Sequence, residues 1–114
     1  MNSSTDPRPV LVAGGGIGGL AAALALVREG YRVKVIEQAS QIGEIGAGIQ
    51  LSPNAFAACD ALGVGEHLRA KAVYTEEMVM FDAIDAKRVA SISLSEKFRA
   101  RFGNPYAVIH RADI

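Results

Sequence analysis

The chain has 114 residues, half of them hydrophobic, and its 12 basic and 12 acidic side chains leave a formal net charge of zero. That is enough apolar material for one small soluble domain, and a neutral balance gives no electrostatic reason to expect nucleic acid or an anionic membrane as partner. Cys59 is the only cysteine, which excludes an internal disulfide and suits a reducing compartment.

Residues 1–9, MNSSTDPRP, have neither an apolar core nor a cleavage pattern, and read as a polar, disordered tail. The longest apolar stretch, residues 17–27, is too short and too rich in alanine and glycine to span a bilayer, which takes roughly 20 apolar residues. No membrane association and a cytoplasmic location are therefore expected.

Residues 10–13, VLVA, form a short apolar run suited to a buried parallel strand. The glycine cluster that follows fits the dinucleotide fingerprint, with Gly14, Gly16 and Gly19 in its three required places. Gly14 allows a tight turn out of the strand, Gly16 lets backbone approach a pyrophosphate, and Gly19 lets the next helix lie close to the strand. Gly15, Ile17 and Gly18 fill the positions between, at the helix N-terminus, whose unpaired N–H groups favour an anion. The helix is predicted over residues 17–29, with Leu20, Leu24 and Val27 on its inward stripe and Gly30 ending it. Residues 31–36 alternate as a second parallel strand that closes on Glu37 and Gln38. Glu37 stands about twenty residues beyond the glycines, where a carboxylate accepts from adenosine ribose hydroxyls and repels the extra phosphate of NADP. The bound nucleotide is thus expected to be NAD or FAD. No Gly-Lys-Ser/Thr follows the glycines, so the turn is not a P-loop.

Residues 39–51, ASQIGEIGAGIQL, read as a glycine-rich loop, either approaching the rest of a bound cofactor or serving as plain linker. Ser52 and Pro53 suit the start of a helix running to about Leu62, with Ala55, Phe56, Cys59 and Leu62 on its apolar side. Cys59 there reads as apolar filler, since no cationic neighbour is in evidence to lower its pKa. Gly63 stops this helix, and a shorter one follows with His67 at the surface. His67 and His110 stand far apart without partners at ligand spacing, so no metal site is expected.

Residues 78–81 and 89–94 are strand-like, and Asp82 and Asp85 mark the turn of a hairpin between them. Residues 96–101 read as a solvated helix or loop, residues 103–105 as a turn, and residues 106–110 as a final apolar run. Residues 111–114 look like a helix start with Asp113 as its cap. Two parallel strands without a third βα unit leave a nucleotide-binding sheet incomplete, so the chain reads as a fragment, poorly folded if expressed alone.

The blocks VAGGGIGGLAAALAL, GEIGAGIQLSPNA and HRADI resemble the N-terminal part of the single-component flavoprotein aromatic hydroxylases. The resemblance implies an α/β, Rossmann-like FAD-binding βαβ domain of that type, incomplete, with the start of a β-rich substrate domain. It divides the chain into residues 10–76 and 106–114 for the FAD-binding part and 77–105 for the hairpin that begins the substrate domain. It places Gly14 to Gly19 at the FAD pyrophosphate and Glu37 and Gln38 at the ribose. Gly48 and Gln50 fall near the flavin, and Arg111 near the FAD phosphates and ribitol. It also implies non-covalent FAD, NADH as reducing co-substrate, O2, and a small aromatic acid to be hydroxylated, with the catalytic base beyond residue 114. The favoured acid is 3-hydroxybenzoate, giving gentisate, with salicylate and 6-hydroxynicotinate as alternatives. A flavin-free NAD-dependent dehydrogenase is the alternative from the glycines and Glu37 alone.

Overall fold

The computed structural model describes residues 8–41 and 47–114. The expected tail falls mostly outside the described residues, as does the middle of the expected loop. The chain divides into two compact units, Met1–Ile45 and Gly46–Ile114.

The first unit is β1 (Val10–Ala13), α1 (Ile17–Arg28) and β2 (Val33–Ile36). The strands pair in parallel, with Val10 opposite Val33 and Ala13 opposite Ile36. Two further bonds extend the ladder, from Val10 N–H to the Arg32 carbonyl and from Gly14 N–H to the Ile36 carbonyl, each 2.7 Å. The second of these fixes where the chain leaves β1. At the other end of α1, Gly30 takes φ +86°. Its N–H donates to the Val27 carbonyl and that of Tyr31 to the Leu26 carbonyl, so the helix end is closed by a Schellman motif.

The buried side of α1 differs from the expected stripe. Ala23 is the buried residue, Leu24 is half-buried, and Leu20 and Val27 are exposed. Gly19 and Ala23, one turn apart, are the small residues through which the helix comes close to the strand, and small side chains there outweigh the larger ones in deciding the contact face.

In the second unit Gly48–Leu51, expected as the end of a loop, is a strand, β2's successor β3. Then come α2 (Pro53–Ala61), α3 (Gly65–Lys71), β4 (Val73–Tyr74), β5 (Glu77–Phe81), β6 (Arg88–Ser93), α4 (Glu96–Phe102), β7 (Ala107–His110) and a 3-10 turn at Arg111–Asp113. β7 lies between β3 and β4 in an antiparallel sheet, with Gly48 opposite His110 and Leu51 opposite Ala107. Alternation puts Leu51, Ala107 and Ile109 on the inner face. They pack with Phe56 and Leu68 of α2 and α3 into the core of this unit. Cys59 packs against that core as filler.

α2 ends, like α1, in a Schellman motif, with Gly63 at φ +77° and the N–H groups of Gly63 and Val64 donating to the carbonyls of Asp60 and Cys59. Asp60 forms a two-pronged pair with Arg69 of α3, at 2.5 and 2.8 Å, and Arg69 also donates to Asn104 Oδ1 at 2.8 Å.

β5 and β6 form the expected hairpin, with a register shift between Met80 and Phe81. Asp82 Oδ1 accepts from the N–H groups of Ile84 and Asp85, and Asp85 Oδ1 from that of Lys87, the turn-forming role expected of both. At the last turn the cap is His110 in place of Asp113: its Nδ1 accepts from the Ala112 N–H at 3.2 Å. His110 is the residue just before the turn, so its side chain can reach back to the first unpaired N–H groups, and Asp113 sits too late to do so.

Candidate functional site

In the first unit the glycine turn and Glu37 come together, although 22 residues separate Gly15 from Glu37. Each glycine answers to a different constraint. Gly14 takes φ +105°, a conformation that L side chains rarely adopt. A Cβ on Gly19 would lie 1.9 Å from the Gly14 carbonyl oxygen, and one on Gly15 would lie 3.2 Å from the Glu37 side chain.

Gly16 is under neither constraint. Its backbone is extended at φ −73°, and a Cβ would meet no protein atom within 4 Å. Neither conformation nor packing among the described residues calls for glycine there, and the position is open to a group approaching from outside. Gly16, Ile17 and Gly18 are exposed at the N-terminus of α1, no acidic residue sits in its first turn, and no side chain caps it. These N–H groups and the positive end of the helix dipole suit a pyrophosphate.

Glu37 is set at the end of β2 with both oxygens engaged. Oε2 accepts from the Gly15 N–H at 2.6 Å and Oε1 from the Ala39 N–H at 2.8 Å. The bond from Ala39, then that from Gly15, hold its carboxyl below its ordinary value of 4.5. Each oxygen keeps a second lone pair for a ribose hydroxyl. Gln38 follows, exposed. Because the folded carboxyl titrates lower than the unfolded one, its contribution to stability is fully present above about pH 4.5 and is lost as pH falls through the lowered folded value. Glu37→Gln in the full-length protein should therefore flatten the acid side of a plot of melting temperature against pH below about pH 4.5, relative to the parent. Superimposable acid limbs would refute this role.

In the second unit the β3–β7 pairing gathers Gly48, Gln50 and Arg111, which the sequence separates widely. Gly48 stands opposite His110, and the Arg111 N–H donates to the Ala47 carbonyl at 2.9 Å. Gly48 and Gln50 are exposed on the outer face, and Arg111 is half-buried in the 3-10 turn. Tyr106, which sequence reasoning passed over as part of an apolar run, donates from its hydroxyl to Gln50 Oε1 at 2.6 Å. The contact depends on strand register between residues 56 apart, so no local signal marks it.

Among the described residues no three His, Cys, Asp or Glu side chains are placed to hold a metal ion, and no helix is long and apolar enough to cross a membrane. Burial, then the neighbouring Asp60, pushes the Cys59 thiol up, the opposite of what a nucleophile requires.

Residues 12–47 match the model of an NAD(P)-binding Rossmann-like domain. The whole chain is 69% identical over 114 residues to 3-hydroxybenzoate 6-hydroxylase of Polaromonas naphthalenivorans (strain CJ2), of which it covers 28%. The likeness runs the whole length of this chain and over about a quarter of that enzyme. The enzyme of the same description from Klebsiella oxytoca is 56% identical over 104 residues, which are 91% of this chain and 26% of that protein. Among solved structures of the fold, Klebsiella pneumoniae HpxO complexed with FAD and uric acid superposes with a TM-score of 0.79 at 29% identity, covering 93% of this chain and 26% of that one. The chain thus spans about a quarter of the length of the relatives it matches, and its fold is Rossmann-like α/β.

Proposed function

We propose that this chain is the cofactor-holding part of an FAD-dependent monooxygenase that uses NADH and O2 to hydroxylate 3-hydroxybenzoate para to its hydroxyl, giving gentisate. The observation that carries the reading is the 69% identity, across every residue of the chain, to a 3-hydroxybenzoate 6-hydroxylase. The glycine turn supports its cofactor half, since the open cradle at Gly16 fits a pyrophosphate and the oriented Glu37 carboxylate fits a ribose.

In this reading the Gly14 to Gly19 turn lines the FAD diphosphate, with the N–H groups of Gly16 to Gly19 at the α1 N-terminus as its donors, and Glu37 and Gln38 hold the adenosine ribose. Gly48, Gln50 and Arg111 are assigned to the flavin, phosphate and ribityl parts. Bound FAD supplies the redox and oxygen chemistry; these residues bind and orient it. The β5–β6 hairpin is assigned to the start of the substrate domain, and a cytoplasmic enzyme suits the lone cysteine and the absence of an apolar span in the sequence.

The test is the full-length gene product. Purified, it should be yellow with flavin bands, Glu37→Ala should bind FAD more weakly, and NADH oxidation with 3-hydroxybenzoate should give gentisate. Product from salicylate or 6-hydroxynicotinate in its place would move the substrate within the family. A colourless protein that takes up no added FAD would replace the reading with an NAD-dependent dehydrogenase.

A further inference from the structure

Arg111 opens the short 3-10 turn that follows β7, and the peptide groups on both sides of its Cα are tied down. On one side the Arg111 N–H donates to the Ala47 carbonyl at 2.9 Å. On the other the Ala112 N–H donates to His110 Nδ1 at 3.2 Å. A residue turns only about its two backbone dihedrals, so holding both flanking peptide planes sets the direction in which the half-buried Arg111 side chain leaves the backbone.

The two bonds have different origins. The first is made by backbone alone and does not depend on the side chain at position 110. The second exists because residue 110 carries an acceptor within reach of the first turn, as an N-cap does. A backbone amide can only donate, so the sense of this bond is fixed: Nδ1 is the acceptor and bears no proton. The rest of the turn holds itself weakly. Its closing bond, from the Ile114 N–H to the Arg111 carbonyl, is long at 3.4 Å, and the Lys71–Asp113 ion pair spans 3.8 Å between two exposed side chains. His110, by contrast, is anchored in β7, where it stands opposite Gly48. The strand fixes the backbone that carries the imidazole, and the imidazole fixes the turn.

We propose that His110 is a positioning residue: its cap on the Ala112 amide aims the Arg111 guanidinium and so sets how tightly that cation engages an anion. Resting on the function proposed above, the anion is the FAD diphosphate, whose oxygens a correctly aimed guanidinium meets with two parallel hydrogen bonds. The imidazole acts through the turn and does not touch the cofactor.

The experiment uses the full-length protein stripped of flavin. Hydrogen exchange at the Ala112 amide reports the cap without any cofactor. Titration with FAD, followed by flavin fluorescence and visible circular dichroism, reports its consequence. His110→Ala should speed exchange at Ala112, alter the flavin dichroism and weaken FAD binding about three- to tenfold, the size of one lost cap. His110→Asn, whose amide oxygen is a good cap, should restore slow exchange, the parent dichroism and most of the affinity. His110→Phe keeps a ring without an acceptor and should behave as His110→Ala. With Arg111 already changed to alanine, His110→Ala should weaken binding no further, since the imidazole acts only through Arg111. Parent exchange or parent affinity in His110→Ala, binding by His110→Asn as weak as that of His110→Ala, or additive losses with Arg111→Ala would each overturn the proposal while the FAD reading stands. A parent protein that binds no FAD would overturn both.

Discussion

Replacing Gly19 by alanine in the full-length protein should lower its melting temperature and its FAD content together. The added methyl carbon would sit 1.9 Å from the Gly14 carbonyl oxygen, 3.0 Å from the Gly14 carbonyl carbon and 3.5 Å from Val12 Cγ1. The first two are backbone atoms of the turn leaving β1, and that turn is pinned by the 2.7 Å bond from Gly14 N–H to the Ile36 carbonyl. No flexible side chain is available to yield, so α1 must move off the strand or the turn must open. Overpacking of this kind costs about 1–3 kcal/mol and occasionally more, and an unyielding neighbour places it at the upper end. The same displacement would carry the α1 N-terminus away from the position proposed for the diphosphate.

Gly16→Ala provides the contrast that gives this result its meaning. Its methyl meets no protein atom within 4 Å and its backbone is already in a conformation open to alanine. The variant should keep most of its stability, losing at most about 1 kcal/mol for alanine at an N-cap, and still bind FAD much more weakly, because the obstruction falls on the ligand. Thermal melting of the two apoproteins, with FAD titrations, separates the cases. If Gly19→Ala melted with the parent and took up FAD normally, the close approach of helix and strand would have no mechanical consequence.

These two glycines also show what a sequence can and cannot disclose. Their spacing reveals that a strand, a turn and a helix follow one another, because each element is set by residues within a few positions. The same locality made the Asp82 and Asp85 turn legible, since each carboxylate bonds an N–H two or three residues on. β3 was not legible. Its four residues, Gly-Ile-Gln-Leu, carry no period long enough to distinguish strand from loop, and they are a strand because β7 pairs with them some sixty residues later. The buried face of α1 was misread for a related reason: the large residues Leu20 and Val27 suggested a stripe, but contact geometry favours the small ones at positions 19 and 23. Where a structural feature depends on register or on close approach between distant segments, composition and period say little.

Phe56→Ala carries the other large expected effect, and it bears on the site through packing. Phe56 is 0% exposed and lies in a core with Leu51, Leu68, Ala107 and Ile109. The Arg69 guanidinium lies 5.2 Å from its ring centroid, held there by Asp60 and Asn104. Truncating a buried phenylalanine to alanine costs about 3–5 kcal/mol, most where the surroundings cannot collapse into the cavity, and here strand backbone and the anchored Arg69 limit collapse. Asp60→Ala should cost only about 0–1 kcal/mol, because the ion pair it removes is partly exposed to solvent. Urea denaturation of the full-length protein should give a much lower midpoint for Phe56→Ala and a nearly unchanged one for Asp60→Ala. The core under Phe56 is the inner face of the same sheet whose outer face carries Gly48 and Gln50, so the loss should also weaken FAD binding, although Phe56 is turned away from that face. A Phe56→Ala protein with the parent's midpoint would mean that this cluster does not set the stability of the sheet. One with a lowered midpoint and undiminished FAD affinity would mean that the sheet's outer face does not carry the flavin.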